Sequence, residues 1–321
     1  MNDLFTAAAL SVLVVSFLVG IVVGLTGMGG GALMTPALIF LGVNPAAAVT
    51  NDLVSSMINK PVGAAVHYRR GSPNLKLVMW LVIGSVPTAF AGAYIVDAIG
   101  GGADEARILK LAIGAALLLT ATTYAVRMYI QLRYVTGGNT ISTDEPAVRP
   151  WATLGIGLVG GLLVGITSVG SGSLIMVALL LLYPTLSAVK LVGTDLLQAV
   201  PLVFSAAISH ILVDGVQWAV LIPLIVGGTP GTYLGAKIAN WVSQSVTRRG
   251  IVIVLSLTGL TMLGVPPAVI GITGAALLLL GPLLWGYLRQ TRGLPAFDNN
   301  LAAWRPADHP GSSDKDGSDS P

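Results

Sequence analysis

Leu4–Leu25 runs without a charged residue, and so do Leu77–Val96, Leu111–Val126 and Ala219–Ala236. Such windows are about the length that crosses a hydrocarbon core of roughly 30 Å. Only 10% of the 321 residues are charged, against about 25% in soluble domains. Water therefore cannot solvate most of the surface this chain presents. An all-α polytopic membrane protein follows, with the lipid bilayer as its main solvent. No cysteine is present, so disulfides and thiol chemistry are excluded. The first segment carries Asp3 and no basic stretch, which argues against a cleaved signal peptide. The net charge of +3 reflects loop arginines, and nucleic-acid binding is not expected from it.

The chain repeats itself. At an offset of 141, Gly20, Val23, Gly24, Thr26, Gly29, Gly31 and Leu33 match Gly161, Val164, Gly165, Thr167, Gly170, Gly172 and Leu174. After a two-residue shift, Asp52 pairs with Asp195, His67 with His210, Gly84 with Gly227, Pro87 with Pro230 and Gly92 with Gly235. Apolar coincidences are common in membrane proteins, whereas Asp, His and Pro holding one register point to two homologous halves. The expected units are a first repeat over 1–131, a polar linker over 132–150 and a second repeat over 151–264. An added C-terminal helix over 265–288 and a disordered polar tail over 289–321 complete the chain.

Positive charge orients these pieces. The turn bearing Arg69, Arg70 and Lys76 is expected inside, while its counterpart bears Asp214 and no Lys or Arg, and is expected outside. Arg127, Arg133 and Arg149 place the linker inside, as do Arg248 and Arg249 for a later loop. Equivalent loops on opposite sides imply two inverted repeats, a common transporter design. The N-terminus is then outside and the C-terminus cytoplasmic.

Each half is punctuated by glycine, first at "GLTGMGGGALMTP" (Gly24–Pro36) and again at "GITSVGSGSLIMV" (Gly165–Val177). The apolar pieces that follow, Ala32–Leu41 and Ser173–Leu182, are too short to span, so each break reads as a discontinuous or re-entrant helix. Irregular backbone survives at membrane depth only where protein buries it or a cavity is lined by it. Free N–H groups at the restarted helix favour an anion. No Lys-Ser/Thr follows, so a nucleotide loop is excluded. The glycines just upstream, Gly20, Gly24, Gly161 and Gly165, also suit close helix packing.

"TND" at Thr50–Asp52 and "GTD" at Gly193–Asp195 bring carboxylates into apolar surroundings. Asp52, Ser55, Ser56 and Asn59 share one helix face, and Asp195, Gln198 and Ser205 mark a similar one. Two readings stay open for each aspartate, a cavity-facing group or a helix N-cap. His67 and His210 fall at the far ends of these stripes, where a helix C-terminus favours a cation. Pro87 and Pro230 suggest matching kinks. No nucleophile–base pair for an enzyme is visible, and no metal-ligand cluster.

The residues "GLTGMGGGALMTPAL", "TNDLVSSMINKPVGAAVHYRRG" and the weaker "GTDLLQAVP" resemble the sulfite exporter TauE/SafE family of permeases, over about Leu4–Leu263. The resemblance implies a bacterial inner-membrane transporter of a small sulfur-containing anion, working without a cofactor. Substrate contact is then expected from Thr26, Gly27, Gly29, Gly30, Gly31, Thr50, Asn51 and Asp52. In the second half it is expected from Thr167, Ser168, Gly170, Ser171, Gly172, Thr194 and Asp195. Ser55, Ser56, Asn59, Gln198, His67 and His210 are expected along the path or in coupling to H⁺ or Na⁺. Gly27, Gly30 and Asn51 are answered by Ser168, Ser171 and Thr194, so unequal half-sites are expected. A cation or metal permease using the aspartates is the rival reading.

Overall fold

The structure is a computed structural model that describes residues 7–26, 30–69, 73–100, 102–136, 147–170, 172, 174–184, 186, 188–239, 241 and 244–291. Those residues are helical almost throughout, because in lipid a helix satisfies its backbone groups internally. In chain order the helices are α1 (Ala7–Thr26), α2 (Gly31–Phe40), α3 (Pro45–Arg69), α4 (Leu75–Asp97) and α5 (Ala103–Thr136). Then follow α6 (Pro150–Thr167), α7 (Leu174–Leu182), α8 (Ala188–Val213), α9 (Trp218–Ile238), α10 (Gln244–Met262) and α11 (Pro267–Gln290). Seven of them, α1, α4, α5, α6, α8, α9 and α11, are long and apolar enough to cross a membrane. The protein is a multi-pass membrane protein.

Both glycine breaks are real interruptions. α1 stops at Thr26 and the short α2 starts at Gly31, while α6 stops at Thr167 and the short α7 starts at Leu174. Ser168 ends α6 in the left-handed region, φ 58°, with its N–H donating to the carbonyl of Val164. Gly170 follows at φ 108°, a conformation that glycine adopts without strain.

The aspartates are not caps. Asn44 caps α3, its side-chain oxygen accepting from Ala46 N–H at 2.9 Å, so Asp52 lies two turns inside the helix. Asp195 is likewise interior to α8, which begins at Ala188. Of the two readings left open above, the N-cap fails for both.

Glycine also decides the packing. Gly20 and Gly24 of α1 meet Gly228, Thr232 and Gly235 of α9, while Gly227, Gly231 and Gly235 meet Leu13, Phe17 and Ile21, so tightly that a methyl on Gly20 would sit 2.5 Å from the carbonyl oxygen of Gly228. The same seam joins α4 to α6, where Gly84 meets Leu154 and where Gly157, Gly161 and Gly165 meet Leu81, Ser85 and Ala89. Residue numbers rise together along each seam, so α1 runs parallel to α9 and α4 parallel to α6. Between them α3 and α8 run antiparallel, with Thr50 beside His210 and Asn74 beside Thr194. A third, reciprocal contact puts Gly114 of α5 against Gly259 of α10. α11 packs on α10 and shows lipid-facing leucines at positions 278–280, 283 and 284.

Without a hydrophobic drive between helices in lipid, such close backbone approach is what holds them together. Gly235→Val therefore forces α9 off the carbonyl of Ile21. We expect it to cost about 1–3 kcal/mol or more, seen as a lowered unfolding temperature in detergent. Val substitution at Gly271, which has open space around it, is the matched control.

Candidate functional site

The two breaks converge on one carboxylate. Asp52 is buried, 2% exposed, and its Oδ2 accepts from the hydroxyl of Thr35 at 2.8 Å and that of Ser168 at 2.7 Å. Thr35 belongs to α2, just past the first break, and Ser168 belongs to the second. The breaks also touch directly, because a Cβ on Gly31 would overlap the carbonyl oxygen of Ser168 and lie 2.9 Å from its Oγ. Gly30 is different, since its nearest neighbour would be Asp52 Oδ1 at 3.9 Å. One glycine is thus filled against protein, and the other opens toward a carboxylate.

A second buried carboxylate, Asp195, accepts from Gln198 Nε2 at 3.3 Å. Lys60, half-buried on α3, acts electrostatically on both Asp52 and Asp195. The interior therefore holds two acids from different halves with one ammonium in Coulombic reach of each. Ser55 and Ser56 are buried with Asp52, and Asn59 joins Ser55 Oγ to Thr229 of α9, the latter at 3.1 Å. Among the described residues, no hydrogen-bond donor reaches the buried Gln198 Oε1 or Asn51 Oδ1.

The "TND" triplet does not act as a unit. Helical spacing turns Thr50 away from Asp52, and its hydroxyl donates to Asp214 at 3.0 Å. Asn51 donates back to the carbonyl of Ala47 at 2.7 Å. Thr194 leaves Asp195 too, its hydroxyl oxygen accepting the backbone N–H of Asn74, the residue that caps α4. Thr167 donates to Leu163 O and accepts from Val169 N–H, a purely local role. Thr26 lies at the foot of the first break, on the wall of a separate polar cavity. Gly27, Gly29 and Ser171 lie outside the described residues, as does the side chain of His67.

His210 sits in the last turn of α8 as its position suggested, but it is wholly buried rather than interfacial. Its Nε2 lies 2.7 Å from the carbonyl oxygen of Gly165, so that nitrogen must carry a proton. Its Nδ1 lies 2.9 Å from Asp214 Oδ2. The ring thereby ties α8 to α6, and through Thr50 to α3. Sequence reasoning missed the roles of Thr35 and Asp214. Thr35 stood inside the quoted glycine stretch, but as a lone hydroxyl without a pattern.

The family model described as "Sulfite exporter TauE/SafE" matches residues 12–262. The probable membrane transporter protein YjnA of Bacillus subtilis (strain 168) is 36% identical over 232 residues, covering 72% of this chain and 90% of that protein. YdhB of the same organism, also named a probable membrane transporter protein, is 28% identical over 256 residues, 78% of this chain and 99% of its own. A probable membrane transporter protein of Xylella fastidiosa (strain Temecula1 / ATCC 700964) is 27% identical over 234 residues, 71% and 84% of the two chains. No solved structure matches. With broken helices meeting at a buried acid inside a multi-pass bundle, and a match of this extent, the chain belongs to the sulfite exporter TauE/SafE family and is a membrane transporter rather than an enzyme.

Proposed function

We propose that the protein carries a small sulfur-containing oxyanion, such as sulfite or an organosulfonate, across the bacterial inner membrane together with a proton. The observation that carries this reading is the junction at Asp52, where both broken helices meet one buried carboxylate. α2 restarts there, and its N-terminal dipole favours negative charge. Asp52 already occupies that neighbourhood. Two unit negative charges about 4 Å apart repel by about 4 kcal/mol at an effective dielectric of 20. An incoming oxyanion is therefore best accommodated when a proton neutralises Asp52. Lys60 and Asp195 form the rest of the charge set that such a cycle would rearrange.

Alternating access fits two inverted repeats. That inversion is supported by the helix directions: the seams run parallel, α3 opposes α8, and each half's first and fourth helices pair crosswise. The arginine-bearing ends of α5 and α10 would face the cytoplasm, with the N-terminus outside. The rival reading, a cation or metal permease using the aspartates, is separated from this one by what the protein moves.

The test is flux into proteoliposomes of the purified full chain. Labelled sulfite should move saturably, and an imposed pH gradient should drive it at fixed sodium. Flux of sodium or a divalent cation, with no sulfur anion moved from a panel of sulfite, thiosulfate and organosulfonates, would overturn the proposal.

A further inference from the structure

At the basic end of the bundle lies a cavity of about 170 Å³, walled by the end of α1, the last third of α5 and the starts of α7, α8 and α10. Its polar wall consists of Thr26, Tyr124, Arg127, Thr247 and Arg248. We propose that this cavity is an anion vestibule, where a small free oxyanion is bound before it passes to Asp52. The proposal deepens the anion-permease reading and rests on it for the passage step, though not for the binding.

Three features point to an anion. Two guanidinium groups from different helices line one small space and act on each other as like charges. Among the described residues Arg127 takes part in no salt bridge. Ionisable groups held inside a membrane protein are costly and mark ion or substrate paths. The remaining polar groups are hydroxyls, of which that of Thr26 donates to the carbonyl of Val23 at 3.2 Å, and arginine offers the planar fork that suits an oxyanion.

Position ties the cavity to the site. Thr26 lines it, and Gly30, four residues on, faces Asp52, so at most about 14 Å of extended chain separates the two. Val192, on its wall, stands three residues before Asp195 in α8, and Arg127 acts electrostatically on Asp195. An anion held at the arginines is thus within electrostatic reach of Asp195.

Size favours a free oxyanion over a lipid headgroup. The volume is below the roughly 300–1,000 Å³ typical of sites for larger ligands. The apolar groove suited to an acyl chain lies elsewhere, between α5, α10 and α11, where Met128, Ile253, Leu277 and Trp285 line it.

The experiment uses the full chain in phosphatidylcholine liposomes, with sulfite supplied on the arginine-bearing side. Arg127→Gln should raise the half-saturating sulfite concentration by about tenfold, the worth of one charge-assisted hydrogen bond. Maximal flux should stay within about twofold. Arg127→Lys, which keeps the charge but loses the fork, should fall between. In parallel, sulfate added to detergent-purified protein in gluconate buffer should raise the unfolding temperature of the wild type but not that of Arg127→Gln. Unchanged half-saturation in folded variants overturns the vestibule, and so does equal sulfate stabilisation of both proteins. Loss of the sulfate effect when phosphatidylglycerol is added overturns it in favour of a headgroup site. If the wild type moves no sulfur anion, the transport reading falls, and the sulfate measurement alone still decides the vestibule.

Discussion

Gly31→Ala should inactivate the protein, whereas Gly30→Ala should fold as well as the wild type. The added methyl at position 31 has nowhere to go, because it meets the backbone of Ser168, not the end of a flexible side chain. Either α2 or the end of α6 must move. That shift pulls the Ser168 hydroxyl from Asp52, so the methyl breaks packing and a buried hydrogen bond at once. Overpacking costs about 1–3 kcal/mol, and the lost bond adds about 1 kcal/mol. A lowered unfolding temperature in detergent and loss of anion flux are the expected readings. At position 30 the backbone is right-handed, φ −56°, and the nearest atom lies 3.9 Å away. Alanine there should match the wild type in stability or gain about 0.4–1 kcal/mol by restricting the unfolded chain. Larger side chains at 30 should depress flux progressively as they close the space before Asp52. Equal stability losses at 30 and 31 would refute the assignment of one glycine to packing and the other to the site.

Asp52→Asn should lower flux by at least about tenfold, equivalent to about 1.4 kcal/mol on the limiting barrier. The amide keeps the shape and can still accept from Thr35 or Ser168 through its oxygen. It cannot take up and release a proton, so pH-gradient-driven uptake should fail in a folded protein. Asp52→Ala removes the acceptor altogether. The two hydroxyls then lose their partner in a buried place, at about 1–3 kcal/mol of stability each. Comparing the two variants separates charge from support. Wild-type flux in Asp52→Asn would eliminate Asp52 as the coupling group.

The helices were legible because their signals are local. The short pieces expected at Ala32–Leu41 and Ser173–Leu182 appear as Gly31–Phe40 and Leu174–Leu182. The glycine runs mark where those helices break. Register singled out Asp52 and Asp195, and both lie buried inside helices. It did not show where each residue points, which is why Thr50, Asn51 and Thr194 were grouped with acids they do not join. Thr35 escaped because a lone hydroxyl ahead of a proline carries no pattern, and only the fold of α2 over α3 brings it to Asp52. Asp214 was read as a loop charge, though it is the partner of His210 across one helical turn. Arg127 and Arg248 served only as topology markers, since nothing in one dimension announces that helices 121 residues apart share a cavity wall (248 − 127).

The glycine seams carry a further consequence for how the chain is made. α1 is finished at residue 26, but the helix it seats against begins at residue 218. At synthesis rates of about 5–20 residues per second, α1 waits roughly 10–40 s for its partner. During that wait its glycine face has only lipid or a foreign helix to meet. α4 waits less, because α6 follows closely. The N-terminal half made alone would therefore hold α4 without its seam partner and α1 without its wall, and the two halves should regain structure only when expressed together. What looks in sequence like two modules placed end to end is, during biogenesis, one object that closes late.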